Sequence, residues 1–255
     1  MSDDTFPPGM VKEIEAFLAD DAKRPAGFDL YDGVFKTNLF FPLQRQAELR
    51  RMIQIARQYD FGWIKQVVRF GEEPRVLGPR VVAEIGADKG GGVYHWCKCL
   101  PSVKRMIACD IRGTPYNYVM QDAFKNVDML WIPTGSRDHE SLCHLANWLD
   151  TERIDVLFID GDKSAFLKDF DAYLPLMNPR GVVFMHDINE PGPMRRAFET
   201  VKARGYRTEE IIDKSDYELS AVREAHGIQP ANPHEAWLRH WAGRSCGVGV
   251  IYLGG

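Results

Sequence analysis

From residue 81 onward, apolar and polar positions alternate between two rhythms. Short runs rich in β-branched and other apolar residues, beginning with Val-Val-Ala-Glu-Ile at 81–85, are followed by turns and then by segments whose apolar residues recur three and four apart. The first rhythm predicts strands buried on both faces, and the second predicts helices that cover them. Strands are predicted over 104–111, 128–133, 154–159, 181–188, 206–213 and 247–253, and helices over 93–100, 139–149, 164–177 and 194–204. Strands that alternate with helices pair in parallel through right-handed crossovers, so the pattern predicts an α/β fold with helices on both sheet faces.

Residues 1–75 break this rhythm. Helices are predicted over 11–23 and 42–61, the second with Leu43, Ala47, Arg50, Ile53 and Ala56 or Arg57 on one face. The aromatic-rich stretch Phe28–Phe41 between them fits neither period. It either lines a pocket or seats the helices on the core. The segment 71–79, with its Gly and Pro residues, reads as a joint. The chain therefore divides into a helical segment at 1–75 and a main domain at 76–255, interrupted by an insertion near 214–246 whose helix opens at Asn232-Pro233 and runs through Trp237 and Trp241.

Ligands of parallel sheets bind beyond the carboxyl ends of the strands. In this chain those ends are polar: Gly86-Ala-Asp88, Asp110, Gly135-Ser136-Arg137-Asp138, Asp160-Gly-Asp162-Lys163 and His186-Asp187. Asp138 and Ser164 suit helix caps, but a series of acids at one sheet edge exceeds what capping requires. The first turn, Glu84-x-Gly86-x-Asp88-x-Gly90-Gly91, lacks the second glycine of the dinucleotide fingerprint, which falls at Asp88. Asp110 ends an apolar strand without opening an obvious helix, and a carboxylate there can accept both hydroxyls of a ribose.

Composition narrows the partners. A net charge of −4 gives no general basic face for nucleic acid. No apolar run is long enough to span a membrane. An odd set of five cysteines, with no charged-then-apolar leader, predicts free thiols in a reducing, cytoplasmic setting. Cys97-x-Cys99 has no second ligand pair at zinc-site spacing and reads as packed helix.

The acid and glycines of the first turn resemble the first motif of class I S-adenosylmethionine (AdoMet)-dependent methyltransferases. The block 154–203 is similar to small-molecule O-methyltransferases of that class, most of all the cephalosporin-hydroxylase-like and macrocin-type group and more distantly the catechol type. The resemblance implies a Rossmann-like, seven-stranded sheet, mostly parallel, and transfer of a methyl group from AdoMet to a hydroxyl of a small molecule (EC 2.1.1.-). It implies cofactor contacts from Glu84, Gly86, Asp88, Gly90, Gly91, Asp110, Ser136 and Asp160. Asp160 and Lys163 become the catalytic candidates, with the lysine as base, and Asp160 and Asp187 the ligands of a divalent cation, magnesium with manganese or iron(II) as alternatives. The third ligand is open: the catechol type has Asn where this chain has Ile188, and the other group has an acid where it has His186, so His186, Asp162 and Asn189 are candidates. His186 completes the expected metal set. The expected partner is a small hydroxyl acceptor, in a homo-oligomer. A non-catalytic AdoMet-binding or scaffolding protein and a different Rossmann-type enzyme are the alternatives.

Overall fold

A computed structural model describes residues 44–62, 78–88, 90–112, 117–189, 191–212 and 246–254. The chain divides after Phe41, and every described residue falls in the second unit, Pro42–Gly255. The aromatic stretch 28–41, the helix expected over 11–23, Lys89 and the segment 214–245 lie outside the described residues.

The element order is α1 (Gln44–Gln58), β1 (Val81–Ile85), α2 (Gly91–Cys99), β2 (Arg105–Cys109), α3 (Asn117–Ala123), β3 (Asp128–Ile132), α4 (His139–Leu149), β4 (Ile154–Ile159), α5 (Phe166–Tyr173), a 3₁₀ turn (Leu174–Leu176), β5 (Met177–His186), α6 (Pro193–Ala203), β6 (Arg207–Ile211) and β7 (Val248–Tyr252). The strands form one seven-stranded sheet in the order β3-β2-β1-β4-β5-β7-β6. The first five run parallel, and β7 lies antiparallel between β5 and β6. This is the mixed, mostly parallel sheet expected from the sequence. Every residue of β1 and β4 is buried, which explains why those strands read as continuous apolar runs rather than alternating ones.

The pleat sorts side chains between two helical layers. Leu157, Ile159, Val183 and Met185 share a core cluster with Leu145 of α4, Phe166 and Phe170 of α5 and Phe198 of α6. On the opposite face Trp96 of α2 stacks on Phe184, with ring centroids 6.0 Å apart, and meets Phe158 edge-on at 6.2 Å. Helix α1 packs alongside α2. Its buried stripe is Glu48, Met52, Ile55 and Ala56, together with Ile53, whereas Arg57 is exposed and its guanidinium donates to the Cys99 carbonyl.

Several boundaries differ from the sequence expectation for identifiable reasons. Helix α2 starts two residues early, because Gly90, at φ 86°, caps it in the left-handed region and lets Gly91 and Gly92 form the first turn. Helix α5 stops at Tyr173 because Pro175 follows and the ladder tightens into the 3₁₀ turn. Strand β5 is assigned from Met177, with its pairing to β4 shifted between Ile154 and Val156, and it ends at His186. The short helix α3 carried no apolar period in the sequence and was not expected.

At the edge opposite the strand-end acids, Asp155 is fully buried and ties three elements together. Its carboxylate accepts the backbone N–H groups of Arg80 at 2.7 Å and Val81 at 3.1 Å, and the side-chain amide of Asn178 at 2.8 Å. The start of β1 is thereby fastened to β4 and β5.

Candidate functional site

Register assembles the site. Ile85 pairs with both Cys109 and Ile159, and Ile159 pairs with Met185. The residues that follow, Gly86, Asp110, Asp160 and His186, therefore lie along one sheet edge. Asp160 and His186 are cross-strand neighbours of the same pleat parity as Phe158 and Phe184, so they belong to the face that carries α1 and α2. Asp187 comes one residue later, where φ of 59° turns the chain out of the strand.

The first turn is built on two close approaches. Gly86 has φ 87°, and a Cβ there would collide with the Asp160 carbonyl oxygen. The N–H groups of Gly86 and Ala87 donate to the Cys109 carbonyl, at 2.8 and 3.2 Å, which draws the turn over the end of β2. Asp110, nearly buried, accepts the Asp88 N–H at Oδ2 (2.9 Å) and the Arg112 N–H at Oδ1 (2.8 Å). A carboxylate has about four lone-pair sites, so each oxygen keeps capacity for a ligand hydroxyl. The Arg112 guanidinium bridges Asp88 and Asp110 at 3.2 and 3.7 Å. Beside this group Ile111 is 76% exposed, an apolar surface that the sequence reading did not single out.

Two residues assigned to the cofactor face elsewhere. Glu84 is buried under α2, where a Cβ on Gly92 would strike its carboxylate; it supports the positive end of the helix from below. The Ser136 hydroxyl donates to Asp169 of α5 at 2.6 Å, and the same buried carboxylate meets Arg137 Nε at 3.2 Å. Ser136 thus anchors the loop after β3. Asp138 stands at the N-cap of α4 but uses its side chain to accept the Gly135 N–H at 2.9 Å. Ser164 is no cap: Ala165 takes that position on α5, and the Ser164 N–H and hydroxyl both donate to Asp162. These bonds hold Asp162 in its turn and keep its carboxyl below the usual range.

Around His186 the acids converge. The imidazole is buried, with Nδ1 at 3.0 Å from Asp160 Oδ1 and 3.2 Å from Asp187 Oδ1. Nε2 lies 3.5 Å from Glu48 Oε2 on α1. Lys163 is ion-paired with the other oxygen of Asp187, Oδ2. Burial alone would lower the Lys163 pKa, but the Asp187 hydrogen bond and charge, reinforced by Asp160, outweigh it and hold the ammonium above the ordinary lysine value. Cys246 joins this group because β7 is antiparallel: its first residue, Val248, pairs with His186, so the chain enters β7 at the ligand edge. Ligand atoms of His186, Asp187 and Cys246 all lie within 4.8 Å of one another. In the sequence Cys246 stands only among the free thiols and Glu48 only within a predicted helix, and neither position carries a motif. All five cysteines are free, and burial pushes Cys97 and Cys109 up to about 12, which makes them packing residues rather than nucleophiles.

Among the described residues no helix is long and apolar enough to cross a membrane. No curated protein matches the chain. Among solved structures it is similar to an O-methyltransferase from Bacillus cereus in complex with SAH, at 14% identity and TM-score 0.51, covering 97% of this chain and 92% of that one. It is also similar to the O-methyltransferase TomG from Streptomyces achromogenes, involved in tomaymycin synthesis and in complex with SAM, at 13% identity and TM-score 0.52, covering 98% of this chain and 91% of that one. Cofactor-bound Rv0187 from MTB aligns at 12% identity and TM-score 0.53, over 94% of this chain and 96% of that one. At such identities the likeness concerns the fold. In sequence, residues 83–188, from β1 through the acids that follow β5, match the methyltransferase-domain family Methyltransf_24. Residues 83–188 thus match a methyltransferase domain, in a chain whose mixed seven-stranded sheet has the Rossmann-like fold of these methyltransferase structures.

Proposed function

We propose that this protein transfers a methyl group from AdoMet to a hydroxyl of a small molecule, with a divalent cation at the end of β5. The observation that carries the reading is the single edge on which a left-handed glycine turn, the Asp110 carboxylate and the Asp160/His186/Asp187 group stand together. Gly86 and Gly90 bring backbone close to the cofactor, Asp110 accepts its ribose hydroxyls, and Ile111 gives an apolar surface to its base. The B. cereus protein and TomG bind SAH and SAM on the same fold, which supports this choice of cofactor.

In the reaction the acceptor oxygen forms a bond to the methyl carbon while the bond from that carbon to sulfur breaks. The hydroxyl proton leaves to a base, and S-adenosylhomocysteine is released. A neutral hydroxyl is a weak nucleophile, so the site must stabilise charge as it develops on that oxygen. The donors present suit a cation: an Asp187 oxygen stands 3.2 Å from an imidazole nitrogen, close to the spacing of roughly 3 Å between neighbouring ligands at bonds of about 2 Å, and Asp160 Oδ1 lies within hydrogen-bond distance of the same nitrogen at 3.0 Å. His186 and Asp187 would hold it, with Asp160 bordering them, and it would acidify the acceptor hydroxyl there as a Lewis acid. Lys163, ion-paired with Asp187, would serve as a fixed positive charge beside the acceptor oxygen rather than as the base expected from the sequence.

Turnover with AdoMet and a panel of sugar, phenol and amino-acid hydroxyls, read as S-adenosylhomocysteine released, tests the proposal. Product formation that stops on chelation, with S-adenosylhomocysteine still bound in calorimetry, is the expected result. Absence of S-adenosylhomocysteine binding refutes the whole reading. Full turnover in excess chelator removes the cation from it.

A further inference from the structure

The cation site has a second half that lies outside the methyltransferase-domain match. We propose that Cys246 joins His186 and Asp187 as a ligand, with Glu48 holding the imidazole from behind, and that this mixed sulfur, nitrogen and oxygen site takes a zinc-class divalent ion rather than magnesium. The inference rests on the cation site proposed above, but not on the acceptor or on the identity of the base.

Backbone places Cys246. The Asn189 N–H donates to the Cys246 carbonyl at 2.9 Å, and the Ile188 N–H donates to the Gly247 carbonyl at 3.3 Å. These two bonds lay the residues entering β7 against those leaving β5, beside Asp187. The Gly247 N–H donates to Glu48 Oε1 at 2.9 Å, so one buried carboxylate on α1 grips this entry and also reaches His186.

The surroundings match what a coordinated ion requires of its neighbours. A metal-bound imidazole ligates through one nitrogen and donates the N–H of the other, usually to a carboxylate. In this site Nδ1 points into the Asp160/Asp187 group, and Nε2 stands 3.5 Å from Glu48 Oε2, an ion-pair contact that a small shift of either side chain would close to a hydrogen bond. A ligating carboxylate is in turn held by a hydrogen bond. Lys163 takes Asp187 Oδ2, leaving Oδ1 on the imidazole side. With Asp160 bordering the group, the donor set is one thiolate, one imidazole and carboxylates. Magnesium prefers oxygen ligands in octahedral array, whereas thiolate and imidazole select zinc or a similar borderline ion.

The test uses the full-length protein, freed of metal with chelator and titrated with cobalt(II), whose spectrum reports its ligands. One cobalt bound per chain with a thiolate-to-cobalt charge-transfer band in the near ultraviolet is expected. Cys246→Ser should lose that band, while Glu48→Gln should keep it with affinity lowered roughly 10- to 100-fold. Because either substitution can disturb folding, the wild type supplies an independent reading: zinc should protect Cys246 from alkylation, followed by peptide mass spectrometry, and chelator should remove the protection. Cobalt bound without a thiolate band, an unchanged band in Cys246→Ser, or equal alkylation with and without zinc overturns the thiolate ligand and leaves an oxygen–nitrogen cation site standing. No binding of cobalt, zinc or magnesium overturns the site itself, and S-adenosylhomocysteine calorimetry on the same sample then reports separately on the methyltransferase reading.

Discussion

Each strand-end residue carries a different physical burden, and substitutions should separate them. Asp110 supports the first turn through two backbone N–H groups and is also the proposed ribose acceptor. Asp110→Ala should weaken S-adenosylhomocysteine binding in calorimetry by about 1–3 kcal/mol through lost charge-assisted bonds; unchanged affinity would remove Asp110 from the cofactor site. Gly86→Ala acts on folding as well, since its Cβ meets the Asp160 carbonyl in a backbone conformation that disfavours side chains. A loss on the order of 1–3 kcal/mol in urea unfolding should accompany the loss of binding. Lys163 distinguishes a base from a fixed cation: Lys163→Ala should lower turnover, and Lys163→Arg, which keeps the charge and cannot deprotonate, should retain a substantial part of it. Equal loss in both variants would return Lys163 to the role of base.

At the scale of elements, the Asp155 clamp decides how β1, β4 and β5 meet at the edge away from the site. Burial raises its carboxyl to about 6, against bonds from Asn178, Arg80 and Val81 that lower it in part. The folded value thus lies above the ordinary 3.8, so the folded chain binds this proton more tightly than the unfolded one. Its contribution is fully present below pH of about 4 and is lost as pH rises through about 6, a change on the order of 3 kcal/mol. Denaturation at several pH values should show wild-type stability falling relative to Asp155→Asn across that window. Parallel curves for the two proteins would show that Asp155 titrates alike in both states.

For the whole molecule, antiparallel β7 and helix α1 matter more than their short lengths suggest. One delivers Cys246 and Gly247 to the ligand edge, and the other reaches both Gly247 and His186 through Glu48. Tyr59, just after α1, adds a ring contact to Tyr252 of β7 with centroids 5.2 Å apart, and its hydroxyl donates to the Gly254 carbonyl. A ligand that binds only the folded chain stabilises it by mass action, about 2.7 kcal/mol at a hundredfold excess over Kd. S-adenosylhomocysteine should therefore raise Tm by several degrees, and a cation should add a further increment if its site spans β5, β7 and α1. A cation shift that persists in Cys246→Ser and Asp187→Ala would place the ion elsewhere.

The alternation of buried runs and amphipathic segments was enough to read the α/β class, the seven strands and most of the helices, because both periods follow from local geometry and burial. The strand-end acids were legible for the same reason: in a parallel sheet the residue after each strand falls on one edge wherever its neighbours lie. What remained hidden depended on contacts between distant segments. That Asp160 and His186, grouped from the sequence only by resemblance, meet at 3.0 Å follows from pairing Ile159 with Met185. That Glu84 and Ser136 face a helix and a buried carboxylate follows from how α2 and α5 sit on the sheet. That Cys246 belongs beside Asp187, and Glu48 behind His186, follows from the reversed direction of β7 and the seat of α1. Neither position has a spacing to announce it, since 199 residues separate Glu48 from the backbone amide it accepts, and only the folded chain brings them together.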